Sequence, residues 1–557
     1  MRTGSSGGSQ ILILAAAFAA LFLLTGLLGV WAAFDRNSAW QAFALIALGL
    51  LAATAVVWAG RRWGEMALGV MSLGVALLAG AIGLYFLLAY HWSGNTGEIA
   101  LLQQIGLAVE AARPAIPLPT DINANVAAGG LTVTLFIGLG GLIWAILTAW
   151  WPGLVVAGMA WLVGLAALVL SQSRGAWISI GVGVAAILYL ALRRRWMDRR
   201  GLRIVLDSLA LVALLAIVAF FIAAVRSPDL AQILGTTSVG TSAVNRATLW
   251  RDGLGLVSDY PFTGSGLRST MMVYSTYELL MHVGFILHMH NLFVQIAVSQ
   301  GVVAVLAFAG LLAAAIANLL AATRSRRSIW RFSLTAGAAL AALLAHGMVD
   351  AGVYASTLTP ILFLPVGFAL ALRPGRHQRQ RGSMNWVLAV AILSVTALAL
   401  VVFLPAGRAA LQENLGAVSQ TRAELSRYVW PDWPIQDELR RSPEVDLEPA
   451  IARYRAALAA NPANASANRR LSQIELARGD YASARALLET AYATTPSNRA
   501  TRQLLGELYA IDGETTRAAE MLSTVDTSLN QLDLRVFWYT HIGEQENAER
   551  LKQVAGS

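Results

Sequence analysis

The chain has 557 residues, 57% of them hydrophobic and 13% charged, with a net charge of +9. Apolar runs recur at the ~18–25 residues needed to cross a bilayer core of ~30 Å, which excludes a soluble protein and predicts an all-α, polytopic helical membrane protein. There is no cysteine, so disulfides, thiolate metal sites and cysteine nucleophiles are absent; the basic charge is almost all arginine beside apolar runs, a pattern of topology and lipid headgroup contact rather than nucleic-acid binding.

In chain order, spans are predicted at about 11–34, 39–60, 65–90, 129–150, 153–172, 175–192, 204–225, 302–323, 329–349, 355–372 and 385–405. The first lacks a convincing small-residue cleavage site and reads as a retained span rather than a signal peptide. Basic clusters lie at Arg61-Arg62, Arg193 to Arg203, Arg324 to Arg331 and Arg373 to Arg381, and the positive-inside rule makes all four cytoplasmic. Eleven spans with a cytoplasmic N-terminus satisfy them, within a total of about 11–12. The apolar segment 289–301 is then an interfacial or re-entrant helix, or an extension of the next span, because a full span there would invert the later clusters. The loop 91–128, the turn after Leu170, the long loop 226–288 and the C-terminal tail fall outside.

The organisation that follows is a membrane domain over 1–405, a linker over 406–446, and a helical-repeat domain over 447–557. The repeats carry a period of 34. Ala450, Ala484 and Ala518 share one register, Tyr454, Leu488 and Leu522 the next, with Pro462 and Pro496 at a turn. Small residues where helices cross, a large one a turn later and a proline at the bend suit stacked helical hairpins. They fit a spacer or oligomerisation prop as well as a surface that docks a protein or glycan.

Candidate site residues gather in the predicted outer segments. Arg174 stands in SQSRGAW, where it either snorkels to lipid phosphate or enters a cavity and binds a substrate phosphate through its planar fork. Arg246 stands in NRATLW, on a solvated interfacial helix face or beside the same anion, and Arg251 reads as a surface charge. PFTGSGL is a tight turn leading to Arg268. His290, followed after ten residues by Gly301, is a packing residue or a general base for a sugar hydroxyl near neutral pH. His288 would face elsewhere on a helix, and His282 and His346 are less promising. With no carboxylate near these histidines in sequence, no metal site and no cofactor are expected. DINAN, Asp121 to Asn125, reads as a helix N-cap rather than a calcium loop.

SQSRGAW, NRATLW, DYPFTGSGL and HNLFVQIAVSQG, in that order and on one side, resemble the O-antigen ligase and O-antigen polymerase superfamily over about residues 10–405; the repeats resemble tetratricopeptide repeats. The resemblance implies a GT-C-like, metal-independent membrane glycosyltransferase. It would move a glycan from an undecaprenyl-diphosphate carrier to an acceptor hydroxyl on the outer, periplasmic face of the cytoplasmic membrane. It assigns Arg174 and Arg246 to the diphosphate and His290 to the acceptor, with His288, Arg251 and Arg268 as further candidates. Acceptors compatible with it are a lipid A core, a growing glycan or a protein hydroxyl, and the repeats could hold an envelope protein. Trp250 stands where the ligase pattern often has leucine, so ligase and polymerase both stay open. A lipid-linked glycan transporter and a pure scaffold explain fewer of the motifs.

Overall fold

A chain inside lipid must satisfy its backbone hydrogen bonds within itself, and a run of apolar residues does so as a helix. A computed structural model describes residues 7–95, 97, 99–114, 118, 122–196, 198–226, 238–278, 284, 286–323, 327–373, 403–428, 435–523, 525 and 531–555, and every element of regular length among them is helical. The first half holds α1 (Gly7–Ala32), α2 (Arg36–Trp63), α3 (Glu65–Ala89), the short α4 (Ala100–Ala112), α5 (Ala124–Leu147), α6 (Trp151–Leu170), α7 (Arg174–Arg195) and α8 (Arg200–Arg226). Next come three helices of the long loop and its exit, α9 (Ser238–Asp259), α10 (Thr270–Glu278) and α11 (Leu292–Gln300), then α12 (Val302–Ala322) and α13 (Arg327–Val349). Among the described residues eight helices are long and apolar enough to cross a membrane: α1–α3, α5–α7, α12 and α13. The segment expected to span at 204–225 is helical, as α8. The span expected at 385–405 lies almost wholly outside the described residues.

The span expected at 355–372 needs correction. Residues 350–358 are irregular, a 3-10 turn follows at Thr359–Phe363, and only Leu364–Ala371 (α14) is α-helical. Pro360 and Pro365 each lack an N–H, which prevents a continuous helix through the stretch. Irregular backbone at this depth is tolerated where it is buried in protein or lines a cavity, and Pro365 to Ala371 are all buried. The segment 289–301, expected to be interfacial, re-entrant or an extension of the next span, is the nine-residue α11, separated from α12 by Gly301.

The basic clusters meet at one end of the bundle. Arg61 donates to the Leu370 carbonyl at 2.9 Å, and Arg373 to the Arg61 carbonyl. Arg193 donates to Thr323 Oγ1 at 3.2 Å, and Arg194 lies 4.6 Å from the Trp330 ring. The opposite end gathers the C-termini of α1, α6 and α13 and the N-termini of α7 and α12, together with the long loop.

The C-terminal region builds on that second end. Residues 406–446 contain most of α15 (Pro405–Leu425) and α16 (Gln436–Arg441). Beyond them α17 (Glu448–Ala460) packs on α15, α18 (Ala465–Arg478) pairs with α19 (Tyr481–Thr494), α20 (Arg499–Ile511) with α21 (Thr515–Leu522), and α22 (Gln531–His541) with α23 (Gln545–Ala555). The period of 34 has its physical reason here. Ala450, Ala484 and Ala518 are buried where helices cross, and Tyr454, Leu488 and Leu522 are buried one turn later.

The repeats share an interior with the long loop. Ala417, Val418 and Ala500 join Leu256, Tyr260, Tyr277, Met289 and Val298 in one apolar cluster. Asp259, fully buried at the end of α9, receives hydrogen bonds from Arg469, from Arg470 at 3.0 Å and from Ser466 at 2.6 Å. Asn414 accepts from the Phe262 backbone N–H at 2.9 Å and donates to Thr263 Oγ1 at 2.9 Å. The turn DYPFTGSGL is therefore clamped between the bundle and α15.

Candidate functional site

The site is assembled by helix ends. Ser173 caps α7, its Oγ accepting from the Ala176 N–H, and donates to Asn125 Oδ1 at 2.7 Å, which ties the start of α7 to the start of α5. Asn123 caps α5, in keeping with the expected N-cap, while Asp121 lies outside the described residues. Arg174 is the first residue of α7. Gly175 follows because the end of α13 passes close by: a Cβ there would come within 2.9 Å of Val349 Cγ2. Arg246, half-buried on α9, faces both Arg174 and Asp350. Burial lowers its pKa from the ordinary value and Arg174 adds to this, while Asp350 opposes it; an arginine stays charged throughout.

His290 sits directly before α11. Asn291 caps that helix through the Phe293 and Val294 N–H groups and donates to the Met348 carbonyl at 3.0 Å, fastening α11 to the end of α13. This places His290 Nδ1 3.4 Å from Asp350 Oδ2. The other carboxylate oxygen accepts the Gly352 N–H at 2.6 Å. Burial pushes the Asp350 carboxyl up, but His290, His288, His346 and the Gly352 N–H together hold it at about 2, so it is ionised at neutral pH. His288 Nδ1 accepts the His290 backbone N–H at 3.3 Å. Burial lowers the His288 pKa to about 4, with Asp350 opposing. Both facts describe a neutral imidazole with its proton on Nε2.

The two histidines were expected to face apart on a helix. They lie in a loop instead, with ring centroids 4.3 Å apart. Two further expectations change. His346, set aside in the sequence, is buried beside Arg246 and Asp350. A carboxylate does stand by the histidines: the ligand atoms of His288, His290 and Asp350 all lie within 4.8 Å of one another, close enough to hold a metal ion. The neighbouring Arg246 opposes a second, divalent cation there. Asp350 had a detectable signal, being the sole acidic residue between Glu278 and Glu413. His282 lies outside the described residues.

The structure thus brings Arg174, Arg246, His288 and His290 together with Asp350 and His346. Arg251 is half-buried five residues beyond Arg246 on α9, roughly 140° around the helix. Arg268 opens into a cavity of about 230 Å³ whose wall includes His288, Thr270, Tyr354 and Ser356. Fixed cations beside an ionised carboxylate and imidazole rings can bind a strongly anionic group and accept a proton nearby.

Comparison with known proteins agrees with the motifs. The sequence model of the O-antigen ligase family matches residues 157–309, a stretch that contains Arg174, Arg246, Arg268, His288 and His290 and ends before Asp350. A tetratricopeptide-repeat model matches residues 475–531. No curated protein matches the chain.

Proposed function

From a membrane chain whose central residues carry the O-antigen ligase signature and whose tail carries tetratricopeptide repeats, we propose a glycosyltransferase that moves a glycan from an undecaprenyl-diphosphate carrier to an acceptor hydroxyl. The observation that supports it is the convergence of Arg174 and Arg246 with the His290–Asp350 pair. Arg174 and Arg246 engage the diphosphate and stabilise the charge it gains as the anomeric bond breaks. Asp350 orients His290 through Nδ1, leaving Nε2 to take the acceptor proton. Direct attack by that hydroxyl inverts the anomeric centre. The basic end of the bundle is cytoplasmic, so the site and the repeats face the outer side of the cytoplasmic membrane.

The test is a reconstituted reaction of the full chain with lipid-diphosphate-linked glycan and a candidate acceptor. Arg174→Ala and Arg246→Ala should lose transfer, and lysine should restore little, because a point charge does not reproduce bidentate phosphate contacts. Normal turnover by both alanine variants would refute the proposal. One addition per acceptor marks a ligase; a ladder of added units marks a polymerase of the same superfamily, which the replacement of leucine by Trp250 keeps in view. Turnover should survive EDTA, since the arginines do the charge work. Loss to chelator with rescue by one divalent ion would instead assign His288, His290 and Asp350 to a metal.

Sidedness has its own measurement. The chain has no cysteine, so single substitutions report without background. An impermeant thiol reagent should label Ser258→Cys and Ser497→Cys in spheroplasts and spare Arg199→Cys; the reverse pattern would invert the topology.

A further inference from the structure

We propose that the cavity walled by Arg268 is a subsite for an anionic substituent, a phosphate or carboxylate, on the acceptor sugar. This rests on the reading of the site as a glycan transferase and adds the class of acceptor to it. Three observations carry it. The cavity, about 230 Å³, adjoins the proposed base: it includes His288, whose ring meets that of His290, and Gly352, next but one to Asp350. Arg174 and Arg246 are absent from its wall, so an occupant would approach the histidines separately from the diphosphate. Arg268 supplies its cation, and among the described residues no carboxylate pairs with it; the group it faces is the phenol of Tyr354.

Arg268 is also held in place. The turn before it uses Gly264 at φ +66° and Gly266 at φ +106°, where a Cβ would fall 2.3 Å from the Gln300 backbone nitrogen and 2.5 Å from the Ala33 Cα. Ser265 N–H donates to the Val298 carbonyl and Leu267 N–H to the Gly29 carbonyl. Arg268 itself has φ +63°, a backbone that a residue other than glycine adopts at a cost. A backbone fixed on three sides sets an unpaired cation at the rim of a largely apolar cavity whose wall also carries Thr270, Gln295, Ser299 and Ser356. A guanidinium so placed suits a phosphate or carboxylate, which it binds through two parallel hydrogen bonds. A neutral sugar would leave the cation without a partner.

The test is binding, which needs no turnover. The full chain in phosphatidylcholine nanodiscs is titrated with glucose 6-phosphate, glucuronate and glucose. At least one anionic sugar should bind at least tenfold more tightly than glucose. Arg268→Gln should lose that preference, and so should Arg268→Gly, which relaxes the backbone and guards against misfolding. Arg246→Gln should keep it. Preference lost in Arg246→Gln but kept in both Arg268 variants would put the anion on the donor arginines and overturn the subsite. Equal binding of all three sugars, or none, would overturn it as well. Replacing the lipid by phosphatidylglycerol should leave the preference intact; its disappearance would mean that a lipid headgroup fills the cavity. Failure of the transfer reaction in the preceding section would leave these outcomes readable, and the converse holds too.

Discussion

His290→Ala should reduce glycan transfer by ~10²- to 10⁴-fold, the range typical of a lost general base, while donor binding stays close to normal. The split follows from the geometry. His290 pairs with Asp350, whereas the diphosphate is assigned to Arg174 and Arg246. The measurement is single-turnover transfer in the reconstituted system, with donor affinity read separately and variant levels matched. His290→Gln, similar in size but not a base, should fail as alanine does. Asp350→Asn should reduce transfer less, because it disturbs the orientation of the ring rather than removing it. A well-folded His290→Ala protein with near-normal turnover would remove the base and direct attention to His288, whose ring adjoins it.

Asp259→Ala should be the most destabilising change away from that site. Arg469 and Arg470 are buried against this carboxylate, and deleting one member of a buried ion cluster typically costs ~3–5 kcal/mol because the remaining charge is left uncompensated. Burial pushes the Asp259 carboxyl up, but the two arginines and Ser466 outweigh it and hold the pKa below the ordinary value. Its stabilisation is therefore fully present above about pH 4 and is lost as the pH falls further. Glu413 moderates the effect. Burial, and then the charge of Asp259, keep its carboxyl well above its ordinary pKa, while Arg470 and Arg469 pull it down, so losing Asp259 lifts one of the two effects that oppose its ionisation beside those arginines. Asp259→Ala combined with Glu413→Gln removes that relief and should unfold at lower denaturant than either single variant. The readout is protease susceptibility of residues 405–555 against denaturant in nanodiscs. An unchanged midpoint for the double variant would show that the apolar cluster alone holds the repeats in place.

What the sequence disclosed, and what it hid, divides along physical lines. Length and hydropathy determine whether a segment crosses lipid, so α1–α3, α5–α7, α12 and α13 were legible to within a few residues. The 34-residue register was legible because burial of alanine against a larger residue repeats in the sequence itself. The irregular stretch after Asp350 was not, because an apolar run reads alike whether it is helical or broken. Its two prolines were the available warning. Arg174, Arg246 and His290 were singled out through motifs, and the structure brings them to one end of the bundle. Asp350 and His346 were missed because each is a single polar residue at the end of an apolar helix, and only tertiary packing brings them to the loop. The contact between Asp259 and α18 joins residues more than 200 positions apart, and no local pattern announces it.

Four residues other than glycine have left-handed backbone among the described residues, and three of them, Gln172, Arg268 and His290, flank the site. Each such conformation costs on the order of 1 kcal/mol and persists only because its surroundings impose it. Glycine at any of the three would remove that backbone cost, but at Gln172 it would also remove the hydrogen bond to the Ile99 N–H, and at His290 the partner of Asp350. Their persistence in a chain gives up thermal reserve for the orientation of an imidazole and a guanidinium, and an engineer seeking a more robust variant would do best to leave them alone and work on the repeats instead.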